Sequence, residues 1–419
     1  TGLTSVDLSG CTSLTTIGYE AFKGCPIETL YINCDIKDTI ISHLTQEYSV
    51  RQHLKNLRLG EGVTQIGKYA FYGCTGLTSL TIDPANTKYK TENNILYTKD
   101  GKTLVFAAGG LTSVEILNTV TGIGKEAFYG CNGLTSIDLS GCTSLTTIGY
   151  KAFGYCTGLT EVKLPASLTK IAGDYHEGAF YGCKGLTSID LSGCTSLTEI
   201  DWGVFDGCTG LSELKLPASL TTINGEAFKG CPIETLYINC DIKDSIISNL
   251  IKVTSVKQHL KNLKLGKGVS TIGSSAFKDC SIETLYINCD IKDTIISNLT
   301  QETSVKRHLK NLKLGEGVST IGSSAFKDCH IETLYINCDI KDSIIRYLTQ
   351  EASVKQHLKN LKLGEGVSTI GNVAFKGCTG LTEVKLPASL TTIGYNAFSD
   401  CTGLTSVDLS GCTSLTTIG

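Results

Sequence analysis

The feature that most constrains this chain is that it repeats itself. The phrase Ala-Phe-x-x-Cys, or a close variant, occurs eleven times, at Phe22, Phe71, Phe128, Phe153, Phe180, Phe205, Phe228, Phe277, Phe326, Phe375 and Phe398. Successive gaps are 49, 57, 25, 27, 25, 23, 49, 49, 49 and 23 residues. A unit near 24 residues accounts for most of them, and a gap of 49 is two units, the first without the Ala-Phe phrase. A chain of 419 residues exceeds one compact core, and periodic self-similarity at this spacing marks a stacked array.

A second phrase, Leu-x-x-Leu-x-Leu, recurs at Leu3, Val6, Leu8, at Leu134, Ile137, Leu139, at Leu159, Val162, Leu164 and at Leu381, Val384, Leu386. Its starts number 17. Alternation over the last three positions predicts a short strand with one buried face. One such strand cannot bury its apolar face alone, so neighbours must stack into a parallel sheet over a shared core. The pattern is the strand of a leucine-rich repeat. We therefore expect an α/β solenoid of about 17 repeats, with a continuous parallel sheet on one face and short helical or irregular segments on the other. At about 4.8 Å per strand it would extend roughly 80 Å. The Ile-Gly-x-x-Ala-Phe segment crosses the opposite side, with Gly18, Gly149 and Gly394 placed for a tight turn.

Two departures interrupt the array. Residues 83–110 form an insertion in which Asp100-Gly101 separates two alternating apolar stretches, the signature of a β-hairpin. Four units, 35–54, 241–260, 290–309 and 339–358, are longer, and Ile36, Ile40, Ile41 and Leu44 fall at helical spacing. We expect helices there, starting near Asp38, Asp244, Asp293 and Asp342 and capped by Asp or Ser/Thr.

Leu-Thr-Ser-Ile-Asp-Leu-Ser at 134–140, Ile-Gly-Tyr-Lys-Ala-Phe at 148–153 and the insertion motif at 86–104 resemble the BspA-type leucine-rich repeats. The resemblance covers essentially the whole chain. It implies an extracellular or cell-surface protein engaged in adhesion or protein binding, with no catalytic residues.

Chemistry-bearing residues follow the repeat period. Eleven cysteines follow Phe by three residues, four lie in Asp-Leu-Ser-Gly-Cys and four in Tyr-Ile-Asn-Cys. Without the short Cys-x-x-Cys spacing of a metal site, they read as small buried core thiols, with disulfides as the alternative. His53, His259, His308 and His357 recur in every second unit, about 10 Å apart, too far to share an ion whose bonds are near 2 Å. No nucleotide-binding, hydrolase or zinc-protease motif occurs, so we expect neither an enzyme nor a cofactor. Net charge is −3, which provides no bulk attraction to nucleic acid, and no apolar run is long enough to span a bilayer. One glycosylation sequon occurs at Asn298-Leu299-Thr300.

The exposed strand positions alternate. One row runs Tyr237, Lys264, Tyr286, Lys313, Tyr335, Lys362, and another Glu234, Lys261, Glu283, Lys310, Glu332, Lys359. Lateral pairing that penalises register slips explains this, and so does a binding stripe for an extended protein or glycan. The chain has no Met, even at position 1, and residues 1–18 and 402–419 are identical, so we expect a piece of a longer array or end-to-end self-association. Two functional expectations follow: a surface interaction protein whose stripe is formed by those six residues, or a structural fibre of stacked arrays.

Overall fold

The computed structural model describes residues 2–37, 40, 43–44, 47–67, 69–175, 177–251, 253–273, 275–290, 299, 302–321, 325–338, 348–349 and 351–419. The chain is a parallel β-solenoid of about 16 turns with few helices, a leucine-rich-repeat fold. It divides into two compact units, Thr1–Ser212 with Thr222–Cys231, and Glu213–Thr221 with Pro232–Gly419.

In the first unit, Ser5–Leu8, Thr29–Ile32, Asn56–Leu59 and Ser79–Ile82 form a four-stranded parallel sheet. The register aligns Val6, Leu30, Leu57 and Leu80, all buried, so one leucine position repeats as a row through the core. Burying each such side chain contributes about 1.5–3 kcal/mol, which is why the period-two alternation fixes the register. Ser136–Asp138 and Glu161–Lys163 pair in the same way further along.

The insertion is a three-stranded antiparallel meander, Tyr89–Glu92, Ile95–Thr98 and Thr103–Ala107. Asn93 and Asn94, which in the sequence run straight into the apolar stretch, instead form a turn with φ of 53° and 60°. Asparagine tolerates this left-handed region, and two such residues make the turn that suits a hairpin. The third strand then pairs in parallel with Gly122–Ile123, which continues into Thr147–Ile148 and Lys170–Ile171. The insertion therefore ends as one rung of the solenoid. Buried Asn86 fastens its start, donating to the carbonyls of Gly60 and Val63 at 3.0 and 2.9 Å and accepting from the N–H groups of Lys88 and Tyr89.

The Ala-Phe segments stack on one another. Phe128, Phe153, Phe180, Phe205 and Phe228 form a column with centroids 4.9, 5.0, 5.4 and 5.3 Å apart and interplanar angles of 6–14°. Offset stacking of this kind adds about 0.5–1.5 kcal/mol per pair beyond area burial. Beside it, the thiols of Cys156, Cys183, Cys208 and Cys231 donate to the carbonyls of Phe128, Phe153, Phe180 and Phe205 at 3.0–3.1 Å. All nineteen cysteines are free; seventeen are buried as expected, whereas Cys11 is exposed and Cys25 half-buried, because these two lie in the first turns of the described array. Burial pushes the Cys74 and Cys131 thiols up to about 12, which keeps them protonated.

In the second unit eight strands pair in parallel: Glu213–Lys215, Thr235–Ile238, Asn262–Leu265, Thr284–Ile287, Asn311–Leu314, Thr333–Ile336, Asn360–Leu363 and Glu383–Lys385. One long copy carries the helices Asp244–Leu250 and Thr254–His259, and the matching second helices of the other copies are Tyr48–His53, Thr303–His308 and Ala352–His357. The starts near Asp38, Asp293 and Asp342, and the sequon at Asn298 and Thr300, lie outside the described residues. The second helices, which begin ten residues after those Asp positions, have no side-chain cap. Glu47, Val253, Glu302 and Glu351 stand at the cap position. The short helix is held from inside instead, by buried Val50, Val256, Val305 and Val354.

At eight of the Ala-Phe turns the residue before the Ala takes a left-handed conformation, φ 52–59° at Glu20, Tyr69, Glu126, Lys151, Glu226, Ser275, Val373 and Asn396. A β-branched valine fits this region worst, and Val373 is half exposed, so its side chain adds little packing in return. Asn396 occupies the same place one turn on without that strain. Val373→Asn should stabilise the protein by about 1 kcal/mol, read as a higher urea midpoint at unchanged slope. A lower midpoint refutes the strain. Cys156, Cys183, Cys208 and Cys231 should stay inert to Ellman's reagent in the native protein and react only on denaturation. Their rapid labelling without denaturant would contradict the buried thiol row.

Candidate functional site

The second unit brings the six expected stripe residues into one file. Tyr237 pairs with Lys264, Lys264 with Tyr286, Tyr286 with Lys313, Lys313 with Tyr335, and Tyr335 with Lys362. The file extends to Lys215 at one end and Lys385 at the other. The tyrosines are half-buried and the lysines exposed. Each tyrosine leans onto the next strand: a Cβ on Gly266, Gly315 or Gly364 would lie 2.7, 2.5 or 2.6 Å from the hydroxyl of Tyr237, Tyr286 or Tyr335. Glycine at these positions leaves room for the ring to lie across the next strand. In the first unit the homologous pair is differently arranged, with the Arg58 guanidinium 5.3 Å from the Tyr31 ring centroid.

Two further rows lock the file in place. Oδ1 of Asn33, Asn239, Asn288 and Asn337 accepts from the N–H of Gly62, Gly268, Gly317 and Gly366 at 2.8–2.9 Å. Asp241 Oδ1 accepts from Ser270 N–H and hydroxyl and from Thr271 N–H at 2.8, 2.7 and 3.1 Å. Burial pushes the Asp241 carboxyl up, but these three donors outweigh it and its pKa falls below the ordinary value. The Glu/Lys row forms ion pairs, Lys261–Glu234 at 3.7 Å and Lys359–Glu332 at 3.0 Å. Such exposed pairs contribute about 0–1 kcal/mol each. By contrast, Lys264, Lys313, Lys362 and Lys385 have no ion-pair or hydrogen-bond partner among the described residues. The middle of this face therefore presents four unneutralised cations, with tyrosine faces between the first three.

A second constellation lies in the first unit and was not read from the sequence. Tyr72, Tyr129, Tyr155 and Tyr181 meet edge to face in a row, with centroids 4.9, 5.5 and 5.2 Å apart. Tyr69 joins them at 6.3 Å from Tyr72 and 5.8 Å from Tyr129. Beside the row Lys151, only 8% exposed, pairs with Glu177 and donates to the Tyr69 hydroxyl at 3.2 Å. Its ammonium lies 5.3–5.7 Å from the Tyr150, Tyr69 and Tyr129 centroids. The Tyr150 hydroxyl completes the cluster by donating to Glu177 at 3.0 Å. Burial alone would lower the Lys151 pKa, yet the Glu177 and Tyr69 contacts raise it well above the usual lysine range. The signal was available: Phe-Tyr-Gly-Cys places Tyr72, Tyr129 and Tyr181 at one repeat position.

The recurring histidines are bound to their own helices. Nδ1 of His53, His259, His308 and His357 lies 2.7 Å from the carbonyl oxygen of Ser49, Ser255, Ser304 and Ser353, so the ring donates at the helix end. Among the described residues no group of three or more His, Cys, Asp or Glu is arranged to hold a metal ion.

Parallel strands on one face, Ala-Phe turns on the other and rows of homologous side chains between them define a leucine-rich-repeat scaffold. The family model described as BspA type leucine rich repeat region matches in six copies, at residues 1–95, 102–174, 142–254, 173–299, 254–353 and 346–419. The chain belongs to that family. No catalytic family is indicated. No curated protein matches the chain. Among solved structures it is similar to a leucine-rich repeat protein from Bacteroides ovatus, at 24% identity over 93% of this chain and 81% of that one, with a TM-score of 0.38. A leucine-rich cell surface protein from Faecalibacterium prausnitzii matches at 21% identity over 96% and 89%, TM-score 0.31. The pneumococcal vaccine antigen PcpA matches at 15% over 81% and 75%, TM-score 0.37.

Lys151→Met removes the cation and leaves Glu177 without its main partner, so it should cost about 2–4 kcal/mol of stability. Because the folded-state lysine pKa is raised, the ion pair's contribution is fully present below the ordinary lysine value of 10.5 and lost only as pH rises through the folded value. Urea titrations should show a difference between wild type and variant that holds steady from about pH 6 to 10 and narrows only above the ordinary lysine value. A variant as stable as wild type excludes a structural role for the cage.

Proposed function

We propose that this chain is an extracellular or cell-surface interaction module that binds an extended acidic segment of a partner protein along the strand face of its second unit. The observation that carries this reading is the file Tyr237, Lys264, Tyr286, Lys313, Tyr335, Lys362, in which the lysines have no partner among the described residues and the tyrosine hydroxyls lie against glycines. Lysines on every second strand stand about 10 Å apart, a spacing an extended acidic chain can follow. Tyrosines contribute contact area at small entropic cost. The neighbouring Thr/Asn row is neutral and self-satisfied, with Asn262 donating to Thr235 at 3.2 Å and Asn311 to Thr284 at 3.5 Å, so it does not compete for the lysines.

Family membership supports a surface location. Among the described residues no helix is long and apolar enough to cross a membrane. Seventeen of the nineteen thiols are buried, which shields them in an oxidising setting, whereas Cys11 is exposed.

The test uses poly-L-glutamate and dextran sulfate, with neutral dextran as control, at several salt concentrations. Poly-L-glutamate should bind, with affinity falling as salt rises. Combined Lys264→Glu, Lys313→Glu and Lys362→Glu should weaken it roughly ten- to a hundredfold, from three exposed pairs at about 0.5–1 kcal/mol each. Combined Tyr237→Ser, Tyr286→Ser and Tyr335→Ser should also weaken it. Unchanged binding by the lysine variant removes the stripe from the mechanism, and dextran sulfate bound in preference to poly-L-glutamate replaces the protein partner with an acidic glycan.

A further inference from the structure

In the first unit, a cleft of about 170 Å³ lies between the meander and two Ala-Phe turns, walled by Phe71, Phe106, Tyr69, Tyr72 and Tyr129 with Glu126. Its rings are already set against one another. Phe71 and Phe106 are 5.2 Å apart, and Tyr69, Tyr72 and Tyr129 meet mutually edge to face. The Glu126 side chain is only 7% exposed. Its Oε2 accepts from the Tyr69 N–H at 3.2 Å, but among the described residues Oε1 has no hydrogen-bond donor. Among the described residues its ion-pair partner is Lys125, which also lines the cleft and lies 3.8 Å from Oε1, with its ammonium 4.5 Å from the Tyr150 ring centroid.

A carboxylate oxygen buried without a donor is costly, and a structure that keeps one holds it ready for a donor from elsewhere. The surrounding ring faces carry negative charge density, which favours a cation over a neutral donor. The adjoining cage shows what these tyrosines accommodate, since Tyr69 and Tyr129 already flank the Lys151 ammonium. The cleft holds about five water-sized groups, enough for the end of an alkylammonium chain. We propose that this cleft captures the ammonium end of a lysine side chain presented by a partner protein, with Glu126 Oε1 accepting its hydrogen bond and Tyr72 and Tyr129 packing on its methylenes. The site is separate from the lysine stripe and opposite in preference: it takes a cation, whereas the stripe takes an anion.

The test compares n-butylammonium chloride with n-butanol, its neutral counterpart, on the whole chain by saturation-transfer NMR and calorimetry at fixed ionic strength. Wild type should prefer butylammonium at least tenfold. Glu126→Gln should abolish the preference while butanol binding persists, and Tyr72→Ala should weaken both probes severalfold. The stripe variant with Lys264→Glu, Lys313→Glu and Lys362→Glu should bind butylammonium as wild type does. Wild type that binds neither probe, or both equally, overturns the proposal, as does a preference retained in Glu126→Gln. Should Glu126→Gln fail to fold, the Tyr72→Ala arm decides, and unchanged butylammonium affinity there overturns it.

Discussion

Parallel, in-register pairing of one turn with the next is the constraint on which everything else in this molecule depends. Because the register aligns Leu236 with Leu263, Leu285, Leu312, Leu334 and Leu361, each side chain is placed beside its counterpart one turn away. A property of one repeat position therefore becomes a property of a row. A phenylalanine becomes a stacked column, a cysteine becomes a thiol row bonded to the carbonyls of the turn before, and an asparagine becomes a ladder onto glycine amides. The gain of each contact is small, but a slip of one residue would break every row at once and turn each buried leucine to solvent.

What was legible in the sequence is what repeats with a fixed period. Strand positions, buried thiols and the Tyr/Lys file follow directly from spacing, because spacing and register are the same quantity once the turns stack. The Asp100-Gly101 turn was legible for a different reason, since Gly101 has φ of 72° and glycine adopts that region freely.

What was not legible depends on where a backbone goes after it leaves the strand. Nothing in Thr103–Ala107 announces that an inserted strand will pair with Gly122–Ile123 and serve as a rung. The Lys151 cage joins Tyr69 to Lys151, 82 positions further along the chain, and only the conformation of the Ala-Phe turns brings them within reach. The left-handed residue before Ala-Phe was equally hidden, because Glu, Tyr, Lys, Ser, Val and Asn all occupy it. That position is imposed by stacking and not chosen by local preference.

The same constraint explains why the two units present different surfaces. Where short units follow one another in the first, the exposed strand position alternates Asp138 with Lys163, which lie 3.8 Å apart and neutralise one another. In the second, the 49-residue module sets Tyr-Ile-Asn-Cys strands between Lys-Leu-Gly strands, so the neighbour of each lysine is a tyrosine that cannot neutralise it. Doubling the repeat unit thus converts a self-paired charge row into a file of cations separated by tyrosine rings. A surface of that kind gains little for folding from these lysines, because among the described residues the row holds no carboxylate that pairs with them.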